Sequence, residues 1–169
     1  MIEPLGADYT TITATTETVL LPTVLTPIAA NEPRTGKVYE LIVGGTCTTG
    51  AAGTLTLTPR FGITISGVSI GASGAQNYVP SISNAPFMLR YYLVFRAVGL
   101  PGANSVVYGS GNWTSGGAVA TASSVTEIMI GATSTASVDV SVASALWMGV
   151  TFSVAPSVVP KWHVWRSLN

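Results

Sequence analysis

The stretch Ala85–Gly99, APFMLRYYLVFRAVG, sorts its side chains onto two faces. Phe87, Leu89, Tyr91, Leu93 and Phe95 fall on one side, and Met88, Arg90, Tyr92, Val94 and Arg96 on the other. Side chains alternate across a β-strand, so the first set is expected to face a core and the second a partly wet surface. From Phe87 to Val98 such a strand spans about 40 Å at the usual rise, the height of a sandwich. Pro86 before it and Gly99-Leu100-Pro101-Gly102 after it act as breakers that set its ends.

Working outward, Lys37–Cys47 alternates Tyr39, Leu41 and Val43 against Val38, Glu40 and Ile42, then meets Gly44-Gly45, where a bulge or bend is expected. A turn over Thr48–Gly53 and a strand over Thr54–Phe61 follow, which reads as a hairpin. Ile63–Ile70 is a further short strand and Gly71–Asn84 a long loop. Beyond the central strand, Asn104–Trp113 joins an apolar run to glycines, GSGNWTSGG at 109–117 reads as a flexible loop, and Ser115–Ser123 as a small, flexible segment. Thr126–Ile130, Ser137–Val142, Leu146–Val154 and the closing KWHVWRSL of Lys161–Leu168 complete the strands. Residues 1–16 lack periodicity and read as an extended arm in need of support. Thr18–Pro22 is a short strand, and Pro22, Pro27 and Pro33 impose an extended connection through residue 36. The chain therefore divides into a 1–36 arm and connection and a 37–169 domain. The connections are too short for crossover helices, so the eight or nine strands are expected in two antiparallel sheets packed face to face, an all-β sandwich of the jelly-roll type.

Composition narrows the function classes. Seven basic and seven acidic residues cancel, and 8% of the chain is charged, against about a quarter in ordinary domains. Nucleic acid and anionic membrane both demand clustered Lys or Arg, so neither is an expected partner. A surface so poor in charge is expected to be covered by sister subunits or a larger assembly. Cys47 is the single cysteine, which excludes an internal disulfide and marks it as a small buried filler. The opening MIEPLGAD has neither the basic nor the apolar region of a secretory signal, so folding in a cytoplasm is expected.

The order of segments resembles a known group. YELIVGGTCTT, the strand GTLTLTPRFG, the short GVSIG, the long PFMLRYYLVFRAVG, a Ser/Thr/Gly-rich segment, ASVDVSVASALWMGVTFSV and a short C-terminal strand follow one another. This pattern, over roughly residues 36–168, is similar to the single jelly-roll domains of tailed-bacteriophage virions, the trimeric head-decoration proteins and head or tail fibres with tumour-necrosis-factor-like topology. The resemblance implies a non-enzymatic virion protein. Its function would be to cement a capsid as a homotrimer bound to the major capsid protein or another virion protein. A receptor- or glycan-binding fibre domain is the alternative it implies.

The chemistry-bearing residues do not assemble a reaction centre. His163 is the single histidine, which removes multi-His metal sites. The acids are scattered, and GSGNWTSGG lacks the Lys-Ser/Thr ending of a phosphate loop. No catalytic residues, cofactor or metal are expected. Trp162 and Trp165 lie three apart in a strand and so face opposite sides. Trp162, His163 and Trp165 are interface candidates, since tryptophan is enriched at interfaces: if Val164 and Leu168 share an inward face with Trp162, then Trp165, His163 and Lys161 form an outer strip, and the plainer reading makes both tryptophans core or edge cover. Arg90, Tyr92 and Arg96, on the outer face of the central strand, are the other interface candidates, either solvated or paired across a subunit boundary. Trp113 and Trp147 are candidates for stacking on sugars from exposed positions.

Overall fold

The computed structural model of the chain describes residues 3–4, 9–64, 66–101, 105–116, 126–131 and 136–169. Two antiparallel sheets pack face to face. The first runs β1 (Glu3–Pro4), β13 (Ser157–Ser167), β4 (Val38–Thr48), β8 (Ala85–Ala97), β9 (Ser105–Ser115) and β10 (Thr126–Ile130), with β11 (Ala136–Val138) also on β9. The second runs β2 (Thr18–Val19), β12 (Ser144–Phe152), β5 (Gly53–Gly62) and β6 (Val68–Ser69), with β3 (Pro27–Ile28) on β12 and β7 (Gln76–Tyr78) on β5. The described residues thus hold thirteen strands against the eight or nine expected, the excess coming from pieces two or three residues long.

The central strand is β8, in the middle of the first sheet between β4 and β9. Phe87, Leu89, Tyr91, Leu93 and Phe95 are all buried, as the alternation requires. Leu55, Leu57 and Phe61 from β5 and Leu146, Met148, Val150 and Phe152 from β12 meet them in one core. Phe61 closes edge-on against Phe95 across the gap, with centroids 5.8 Å apart. Each such burial contributes about 2 kcal/mol. Cys47 is buried at the edge of this core, and desolvation pushes its thiol up to about 11.

The glycines of β9 do not form the expected loop; Gly109 and Gly111 are strand residues opposite Leu93 and Tyr91. They are seats for the Tyr91 ring. A Cβ at Gly109 would run into the Tyr91 phenol, and one at Gly111 into the Arg90 and Tyr91 backbone. Two residues beyond Gly111, Trp113 turns into the core at 1% exposure and lies flat on Phe87, with centroids 4.2 Å apart and planes 6° from parallel. A further expectation is corrected here. β4 and β5 belong to different sheets, so their connection is an arch and not a hairpin. Thr49 pins that arch to the other long loop, its hydroxyl donating to Val79 O at 2.7 Å and its amide to Ile82 O at 3.0 Å.

The expected arm leans on its own chain from Tyr9 onward. Ile12 exchanges both backbone hydrogen bonds with Val158, β2 and β3 pair with β12, and Ile12, Leu20, Leu21 and Ile28 plug the core. Glu17 crosses Gly149 to hold Arg60 at 2.8 Å and 3.0 Å. Residues 1–2 and 5–8 of the arm, Gly102, and the Ser115–Ser123 segment from 117 on lie outside the described residues.

Among the described residues Tyr91 Oη is a buried hydroxyl without a hydrogen-bond partner. Tyr91→Phe is therefore expected to keep or raise stability, by about 1 kcal/mol, whereas Gly109→Ala overpacks the seat and lowers it by about 3 kcal/mol. Chemical denaturation of both variants checks the pair of signs.

Candidate functional site

The outer face of the first sheet is the most unusual surface of the molecule. Register places Trp162, Gly44, Met88, Thr114 and Glu127 in one row across β13, β4, β8, β9 and β10. The next row is Val164, Ile42, Arg90, Asn112 and Met129, and the next Arg166, Glu40, Tyr92 and Ser110. Met88, Tyr108, Met129 and Trp162 are all exposed on this side, at 45%, 42%, 66% and 37%. The Trp162 indole lies across Gly44, where a Cβ would overlap the ring. An aromatic covering a cross-strand glycine restores the packing the glycine lacks. By contrast, the outer face of the second sheet presents Thr54, Thr56, Thr58 and Thr151 around the Arg60–Glu17 pair.

At the centre of the apolar face lies a carboxylate shared by two arginines. Glu40 is 2% exposed although it points away from the core. Arg166 donates Nε to Oε2 at 2.7 Å and approaches the same oxygen with a second nitrogen at 2.6 Å, while Arg90 Nε stands 3.5 Å from Oε1. Burial by itself would raise the Glu40 pKa. Hydrogen bonds from Arg166 and Tyr92 and the charges of both arginines outweigh it and hold the carboxyl below its ordinary value. Both guanidinium groups remain about half exposed, so this cluster shows the surface two fixed cationic heads and one surplus positive charge.

The interface candidates read from the sequence divide. Arg90, Tyr92 and Trp162 do lie together on this face, and Arg90 pairs inside its own chain. Arg96 is exposed on a bulge that shifts register between Phe95 and Ala97. His163 and Trp165 do not belong to the outer strip, and Trp162 is not inward. A bulge between Pro160 and Trp162 shifts the register by one residue at Lys161 and inverts every side chain after it. His163 is accordingly 7% exposed and lies with Nδ1 2.6 Å from Tyr9 Oη. Trp165 stacks on Tyr39 at 5.2 Å and donates to Pro27 O at 3.0 Å, clamping the proline-rich connection. Tyr39 in turn donates to Glu32 Oε1 at 2.7 Å.

Of the sugar-stacking candidates, Trp113 is core. Trp147 is half-buried on the outer face of β12, its indole N–H engaged by Gly62 O at 3.0 Å. Beside that carbonyl a groove of about 590 Å3 opens between the turn after Phe61 and the 137–144 segment, lined by Ile63, Val68, Val138 and Val142. Glu40, Met88, Tyr108, Glu127 and Met129 were absent from the interface candidates, although alternation along β8 and β10 already turns Met88, Glu127 and Met129 outward. Comparison with protein-family models, curated proteins and solved structures finds no match to this chain.

Glu40 contributes stability that is present above its unfolded pKa, about 4.3, and is lost as pH falls through its lower folded value. Glu40→Gln is expected to cost about 1–2 kcal/mol at pH 7, because the arginines it abandons are half in water, and to flatten the acid limb of the stability curve. Arg90→Met/Arg166→Met leaves the buried carboxylate alone and costs more, about 3 kcal/mol. Urea titrations at pH 7 and through the acid range measure both.

Proposed function

We propose that this chain is a non-enzymatic virion structural protein of a tailed bacteriophage, a jelly-roll homotrimer that cements the capsid shell by binding the major capsid protein. The observation that carries the structural-protein reading is the apolar outer face of the first sheet, in a chain with 8% charged residues. A sheet face bearing Met88, Tyr108, Met129 and Trp162 in the open is a surface that stable soluble proteins cover.

The jelly-roll reading is supported by strand order. Taking β1, β2 with β3, β4, β5, β6 with β7, β8, β12 and β13 as strands one to eight, the first sheet runs one-eight-three-six and the second two-seven-four-five. That order is what a long antiparallel ribbon yields when it is wrapped into two sheets, first strand beside last and fourth beside fifth. β9, β10 and β11 then widen the first sheet after its sixth strand. The glycan-binding alternative retains Trp147, but has lost Trp113 to the core.

Purified protein added to shells that lack it, then imaged by cryo-electron microscopy, is expected to occupy regular lattice positions on the head. Protein that stays in solution, or density confined to a tail tip, would overturn the cement reading.

A further inference from the structure

The surplus charge on the outer face of the first sheet has a complement on the same chain. Two guanidinium groups, Arg90 and Arg166, share the single carboxylate of Glu40, yet the chain as a whole is neutral. Elsewhere Glu17 answers Arg60, Glu32 accepts from Tyr39 and the Ala29 amide, and Asp139 accepts from Ser141. Glu127 differs: it is exposed on β10, the strand at the edge of that sheet, and meets no cation among the described residues. It stands two strands from Arg90, about 10 Å across the sheet, with β9 between them. Beside it on β10 projects Met129, the most exposed apolar side chain of this face. One half of the face is thus cationic and apolar, and its far edge anionic and apolar.

We infer that a second copy of this chain covers this face with its β10 edge. Glu127 of the incoming copy reaches the Arg90–Arg166 pair, and its Met129 packs against Trp162 and Met88. The inference rests on the self-associating reading proposed above and names the contact that makes it. A face-to-face dimer with its twofold along β8 would stack Arg90 on Arg90, which like charge disfavours. A head-to-tail contact has no such clash, and contacts of this kind close into rings when their rotation closes and run on as filaments when it does not. Glu40 prepares the receiving side by fixing both guanidinium heads before the partner arrives, so little side-chain order is lost on docking.

Sedimentation velocity over a dilution series of the full-length chain tests this, with Glu127→Lys and Met129→Asp as separate variants. Both side chains are exposed, so both variants are expected to keep the wild-type far-ultraviolet circular dichroism. Wild-type chain is expected to associate, and each variant to associate at least about tenfold more weakly. If the wild type associates and both folded variants associate equally well, the β10 contact is wrong while self-association stands. If the wild type is monomeric throughout, self-association itself fails and the inference goes with it.

Discussion

Large aromatic rings seated over glycines of the neighbouring strands are the packing on which this sandwich depends. Phe87 faces Gly45 and lies on Trp113, and Tyr91 occupies the space that side chains at Gly109 and Gly111 would fill. Phe87 and Tyr91 stand in the inner row of β8, the strand flanked by β4 and β9, and they fit there because glycines, Gly45 and Gly111, stand opposite them. Interiors are packed to crystalline density and tolerate added atoms poorly. The same device recurs outside, where Trp162 covers Gly44. There it leaves an indole facing solvent instead of core.

This coupling explains which parts of the fold were legible in the sequence. β8 was readable because from Phe87 to Phe95 its alternation is unbroken and its inner residues are all large. β10 and β12 were readable for the same reason. β9 was not, because Gly109 and Gly111 look like loop punctuation when their partner, Tyr91, stands far off in sequence. The face of β13 was inverted by a one-residue bulge at Lys161, which flips His163 and Trp165 inward without changing the alternation a reader sees. Alternation also cannot say in which sheet the next strand lies, and so β4 and β5 read as a hairpin where the chain crosses the sandwich. Residues 9–36 carry no period because they contribute single plugs, Ile12, Leu20, Leu21 and Ile28, each in its own gap.

The site was half legible. Alternation marks Arg90 and Tyr92 as outward residues of β8, whereas Trp162, read as inward, lies outside because of the bulge. In the sequence Glu40 reads only as one residue of an alternating strand and one of the scattered acids. Its role depends on Arg166, one hundred and twenty-six positions away, and no local pattern announces a carboxylate that two arginines share. That sharing gives the outer face its character: apolar side chains surround a fixed cationic spot, and the edge of the same sheet carries Glu127, which meets no cation among the described residues. Scarcity of charge makes each ion pair conspicuous, so the surplus at Arg90 and Arg166 and the deficit at Glu127 carry information that a heavily charged surface would bury.

The four methionines in the sequence offer the most direct measurement. Met88 and Met129 are exposed on the outer face, and Met148 is buried in the core as an internal reference. Mild peroxide oxidation followed by mass spectrometry, at high protein concentration and after dilution, reads their accessibility site by site. If this face is where the protein meets its neighbours, Met88 and Met129 are slow to oxidise when concentrated and fast when dilute, with Met148 slow in both. Fast oxidation of Met88 and Met129 in the concentrated, associated protein would mean that the outer face stays open and the assembly is held elsewhere.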